Sequence, residues 1–195
     1  MLAIFLIIAG ALLRLMPHIP NFAPITAIAL FGGVYLNKKY ALILPFLTML
    51  ISDYLILYIN PFDNPIVDFH KIYPLTASLH STTLYVYGSF LLSGRIGIYL
   101  KNNKNFKHIA GGTLLASIQF FLITNFGVWA TGTYDKGIDG LLQSYVMGIP
   151  FFKYTLLGDM FYTGVMLGAY ELVARSTKNL YRFSSLTLLH RPTKE

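Results

Sequence analysis

Between Ile109 and Trp129 the chain carries no Lys, Arg, Asp or Glu. A helix rises about 1.5 Å per residue, so a run of this length reaches about 30 Å, the thickness of a bilayer's hydrocarbon core. A second such run, Tyr40 to Ile59, is interrupted only by Ser52-Asp53 in its second half. Other apolar runs cover Leu2 to Met16, Ile25 to Leu36, Leu79 to Leu100 and Ile149 to Ala174. Only 12% of the residues are charged, against about 25% in a soluble domain, which places the chain in the membrane class. The pattern predicts an all-α polytopic membrane protein, a bundle of six transmembrane helices over residues 1–174. A basic cytoplasmic C-terminal tail is expected over residues 175–195.

The first two runs are the shortest. Leu2 to Met16 has a small-residue triplet, Ala9-Gly10-Ala11, but no basic residue precedes it as in a signal peptide. It reads as a retained first helix, tilted or partly spanning. The segment PHIPNFAP, Pro17 to Pro24, breaks the helix. Ile25 to Leu36 is rich in Ala and Gly, which lets helices approach closely, so it is expected in the bundle interior. The glycine pair Gly164 and Gly168 is read as a close-packing face of the sixth helix. Polar loops are expected at Asn60 to Ser78, where a lid or an insertion is foreseen, and at Ala130 to Gly148.

The basic residues sort by side. Ten fall on the side of the Asn37–Lys39 turn, the Lys101–His108 turn and the chain's end; four (Arg14, Lys71, Lys136, Lys153) fall on the other. The positive-inside rule then puts both termini in the cytoplasm of a cell with an inner (plasma) membrane. The net charge of +7 is thereby explained by topology, and no nucleic-acid partner is expected.

That topology gathers the polar groups of the apolar runs in the outer half of the bundle. Arg14 and His18 end the first run, and Asn21 lies in the proline-rich break. Asp53 is near the outer end of the third run, and His80 opens the fourth. Asn125 and Trp129 close the fifth, and Asp159 lies about three turns into the sixth. Polar groups cost several kcal/mol in lipid unless they face a cavity or a partner. The expected substrate-binding set is therefore His80, Asn125, Trp129, Asp159, Arg14, Asp53 and Asn21. A structural pairing of Arg14 with Asp53 is an equal alternative, and Asn125 also reads as interhelical glue.

Five strings carry a resemblance: RLMPHIPNFAPITAIALFGG (Arg14 to Gly33), SD (Ser52-Asp53), HSTTLYVYGSF (His80 to Phe90), TNFGVW (Thr124 to Trp129), and IPFF with LLGDMFYT (Ile149 to Thr163). Together they resemble a family of small bacterial membrane proteins assigned to transport, a domain of unknown function. That family is similar to the S-components of energy-coupling-factor vitamin transporters, nearest the cobalamin-binding BtuM-type proteins. The resemblance implies a six-helix S-component bundle with an outward ligand site. It also implies a vitamin-like solute such as cobalamin, and partner coupling and ATPase subunits. The BtuM-type proteins associate a cysteine with the corrinoid cobalt. This chain has no cysteine, so His80 is the expected cobalt ligand.

No P-loop is present, so ATP-driven uptake would need separate subunits. The partners expected are a small-molecule solute and the lipid bilayer, with no resident cofactor and no enzymatic activity. Other readings are an ion-coupled carrier using Asp53 or Asp159, an accessory membrane protein, and an intramembrane enzyme with those two carboxyls as a dyad.

Overall fold

In the computed structural model, residues 1–16, 18–59, 67 and 72–189 are described, with side chains up to residue 178. The described chain is all-α: α1 (Leu2–Arg14), α2 (Ile25–Tyr35), α3 (Lys38–Ala41), α4 (Ile43–Ile56), α5 (Thr83–Leu100), α6 (Phe106–Ala130) and α7 (Ile138–Leu189). A 3-10 turn, Leu75–Ser78, precedes α5. The greater part of the Asn60–Ser78 loop, where a lid or insertion was expected, lies outside the described residues.

The helix boundaries follow local chemistry. Asn105 caps α6, its side chain accepting from the His108 amide at 2.9 Å. At the other end, the Thr133 amide donates to the Val128 carbonyl and the Gly132 amide to Trp129, with Gly132 at φ 87°. That is a Schellman closure, and it needs a residue that tolerates left-handed backbone. It turns the chain back within residues 131–137, so the polar loop expected from Ala130 to Gly148 is much shorter. Asp139 sits in the first turn of α7, where a negative charge suits the helix dipole. The break between α3 and α4 falls at Leu42, three residues before Pro45. The proline ring there disfavours a continuous helix through residue 41.

Helix α2 is the hub. It touches α1, α3, α4, α5, α6 and α7, and nine of its eleven residues are buried. The expectation that this run is interior holds. Its crossing with α5 is made by glycines. A Cβ on Gly97 would lie 3.0 Å from the Gly33 Cα and 2.9 Å from the Leu30 carbonyl carbon, and one on Gly33 would lie 2.6 Å from the Ile98 amide nitrogen. The backbones therefore meet with no side chain between them. Gly164 and Gly168 behave differently: a Cβ at either would meet nothing within 4 Å. The close-packing face expected there is not used inside the bundle, because α7 turns that side outward.

Among the described residues two stretches are long and apolar enough to cross a membrane, Lys38–Ile56 and Phe106–Ala130. The all-α part of the expectation holds, and two of the six expected transmembrane helices have the length and apolarity of a full span. Helices α1 and α2, with 13 and 11 residues, are shorter than the runs that suggested them. At about 1.5 Å per residue neither crosses a hydrocarbon core of about 30 Å. Phe22 and Ala23 of the break between them pack against α7. Helix α7 continues through Arg175 to Leu189, so the residues read as a tail begin as its direct extension.

The surface of the bundle is apolar and its interior carries hydroxyls. Ile4, Phe5, Ile8, Leu12, Leu47, Ile51, Leu115, Leu122, Phe161 and Val165 are exposed, while Ser52, Ser89, Ser93, Thr113, Ser117 and Thr163 are buried. Most of the buried hydroxyls donate to a carbonyl on their own helix, as Ser93 does to Ser89 and Thr113 to Ile109.

Candidate functional site

Helices α6 and α7 run side by side after their tight turn, and each carries a Phe-Phe pair several turns from the end where they are joined. Phe120 and Phe121 stand one turn before Thr124 and Asn125; Gly148 stands one turn before Phe152, and Phe151 one turn before Thr155. Residues four apart share a helix face, so the two stripes oppose each other. Between them lies a cavity of about 280 Å³, lined by both stripes and by Asn21.

Each wall is fixed. The Phe121 and Phe152 rings pack at 4.8 Å, and Phe120 stacks on Phe90 of α5 at 5.3 Å. Asn125 donates one amide hydrogen to the Phe121 carbonyl at 2.8 Å. Its amide rests on Gly148, where an added Cβ would lie 2.8 Å from the Asn125 Cγ. Asn21 adopts φ 64°, a left-handed conformation that Asn tolerates better than most residues. The neighbouring Phe22 anchors that turn between Phe161 and Tyr162 of α7, at 5.7 and 5.5 Å. Pro150 lies within α7 at the edge of the cavity and has no amide hydrogen for the helix ladder.

A model of a family of unknown function, DUF6580, matches residues 1–181. The chain belongs to this family. No curated protein and no solved structure matches it significantly.

In this DUF6580 protein the seven expected site residues separate into groups. Asn21 and Asn125 meet at the cavity. Arg14 and Asp53 form an ion pair instead, with Arg14 Nη1 also donating to Ser52 Oγ at 2.8 Å. Tyr87 donates to Asp53 Oδ2 at 2.5 Å, so the network joins α1, α4 and α5. The structural pairing is the one realised.

Asp159 is 1% exposed and accepts from Ser117 Oγ at 2.7 Å; Thr26 of α2 also hydrogen-bonds it. Its neighbour Gly158 abuts the backbone of Phe22 and Ala23, so Asp159 backs the segment that carries Asn21. Asp53 and Asp159 have separate partners and no hydrogen bond to each other. They form no dyad, because different helices claim them.

Trp129 and His80 stand apart from the cavity. Trp129 packs on Phe126 at 5.4 Å, and its buried Nε1 has no hydrogen-bond partner. His80 is exposed at the approach to α5, with Nδ1 2.8 Å from Thr83 Oγ1. Helix α5 begins at Thr83 rather than Leu79, which leaves His80 in the preceding turn and not on a pore-facing helix surface. His18 lies 2.7 Å from the Met16 carbonyl through Nδ1. Among the described residues no three His, Cys, Asp or Glu side chains gather as a metal site.

Four phenylalanines, Thr155 and Gly148 belong to the cavity without having been singled out. The signal was the four-residue spacing of paired aromatics and polar groups on two adjacent helices. Further polar contacts tie the helices together away from the cavity. Gln119 donates across to Ser93 Oγ of α5 at 2.9 Å. At the opposite end of α2, Tyr35 donates to Glu171 at 2.5 Å and Lys101 to the Leu36 carbonyl at 2.8 Å.

Proposed function

We propose that this protein is embedded in the inner membrane and captures a small solute in the cavity between α6 and α7. One observation carries the reading: two carboxamides predicted from sequence, Asn21 and Asn125, come from distant parts of the chain and meet in an aromatic-walled hollow. A purely structural contact would fill that space. A concave hollow with aromatic walls and a few convergent polar groups suits small-molecule recognition. Exposed apolar side chains around α1, α4, α6 and α7 support lipid contact.

In this reading the helices form an S-component type bundle, with α1 and α2 tilted or partly inserted, and the cavity faces outward. Transport driven by ATP then depends on separate coupling and ATPase subunits. Cobalamin is not carried forward as the solute. The chain has no cysteine, His80 stands outside the cavity, and a corrinoid is far larger than about 280 Å³.

The test is native mass spectrometry of the full chain, extracted in mild detergent after growth in rich medium. A stoichiometric small molecule, lost on Asn125→Ala, is the expected result. Protein that is empty and binds nothing from a panel of small solutes would refute capture.

A further inference from the structure

We infer that the cavity is selective for an uncharged, flat molecule of one or two rings that carries an amide-like edge, with both a donor and an acceptor. The inference rests on the capture reading and narrows it to a chemical class.

Size comes first. A closed apolar cavity of about 150 Å³ accommodates one benzene ring. A hollow of about 280 Å³ therefore suits roughly twice that, on the order of a dozen non-hydrogen atoms. Shape follows from the walls. Phe120, Phe121, Phe151 and Phe152 present ring surfaces, and the contacts of Phe121 with Phe152 and of Phe120 with Phe90 hold three of them in place. Aromatic faces favour a flat partner that stacks or meets them edge-on.

Charge is decided by the lining. Asn21, Thr124, Asn125 and Thr155 are its polar side chains, and none is ionisable. Arg14 is paired with Asp53, and Lys153, exposed beside the Tyr154 ring, is not part of the lining. Asp159 is buried behind Asn21's segment and bonded to Ser117. An ionic ligand entering this hollow would give up part of its water to a lining that offers no group of opposite charge, which favours a neutral molecule.

The polar edge is read from what remains unused. Thr124 and Thr155 donate their hydroxyl hydrogens to the Phe120 and Phe151 carbonyls, so toward a ligand they can only accept. Among the described residues the Asn21 side chain has no hydrogen-bond partner, and Asn125 uses one of its two amide hydrogens. The hollow thus offers carboxamide donors and acceptors beside hydroxyl acceptors. A carboxamide, lactam or ureide satisfies that combination; a hydrocarbon or a simple ether leaves donors unpaired. Gly148 is the positioning residue, since it leaves the room in which the Asn125 amide lies.

The experiment uses the full chain in detergent and five probes: benzamide and 2-quinolinone, the charged analogues benzoate and benzylammonium, and hydroxocobalamin. Binding is read as a saturable rise in melting temperature and as a change in fluorescence of Trp129, the single tryptophan, one turn beyond Asn125. The neutral amides are expected to bind at least tenfold more tightly than either charged analogue and than hydroxocobalamin. Asn125→Ala and Gly148→Ala should each weaken them at least tenfold. Thr155→Val, which keeps the shape, serves if either variant fails to fold, and a loss of neutral-amide affinity is again expected. Equal or tighter binding of a charged analogue or of the corrinoid would overturn the inference. A charged or larger molecule that copurifies and is lost on Asn125→Ala would overturn it while leaving capture intact. No probe bound and nothing copurified would end both.

Discussion

Asp53 shares Arg14 and Tyr87 across three helices, whereas Asp159 is held only by hydroxyls, from Ser117 and Thr26. The two carboxyls looked alike in sequence, each a lone acid in an apolar run. Asp53 has found a cation and serves as a clamp. Removing one partner of a buried pair leaves the other charge uncompensated, at a cost of about 3 kcal/mol or more. The Arg14–Asp53 pair is only partly buried, so Arg14→Met is expected to destabilise the bundle by less than that full cost, about 1–3 kcal/mol. The double variant Arg14→Met with Asp53→Leu should recover most of that loss, because neither charge is then stranded. Unfolding of the three variants in detergent, arranged as a double-mutant cycle, measures the coupling. Additive single effects would show that the pair contributes nothing.

The α2–α5 crossing sets the geometry of everything that α2 touches, including the Thr26 contact that reaches Asp159. It depends on Gly33 and Gly97, whose missing side chains let the backbones meet. Gly97→Leu must push the two helices apart, and we expect loss of the monodisperse protein on size-exclusion chromatography. Gly111→Ala is the control, because a Cβ there meets nothing within 4 Å. It should be tolerated and stabilise by up to about 1 kcal/mol through helix propensity alone. Equal damage from both substitutions would mean that close approach is not what the glycines provide. The same distinction separates Gly97 from Gly164. Spacing in sequence marks a glycine pair, but only the orientation of the helix decides whether another backbone lies opposite.

As a whole the molecule has an apolar exterior and a hydroxyl-lined interior. If the proposed topology holds, a phosphatase active only outside the inner membrane will be inactive when fused after Ala174 and active when inserted in the loop at residues 131–137. A cytoplasmic reporter should show the reverse. Activity of the outer reporter at Ala174 would invert the orientation and place the cavity on the cytoplasmic side.

Much of this was legible in the residues themselves. The runs Tyr40 to Ile59 and Ile109 to Trp129 mark helices because apolar length of about twenty residues has few other solutions. The small residues of Ile25 to Leu36 mark an interior helix because they leave nothing to hold backbones apart. Asn21 and Asn125 stand out because polar groups in apolar surroundings need a reason. Which polar group meets which was not legible. Asp53 went to Arg14 and Asp159 to Ser117, and His80 and Trp129 fell outside the cavity. These outcomes depend on helix rotation and on where each helix starts, and a shift of one residue turns a side chain by about 100°. Composition and periodicity determine which segments are helical and apolar. The angles between those segments, and hence the hollow between two Phe-Phe pairs, are decided only when all the helices pack against α2 at once.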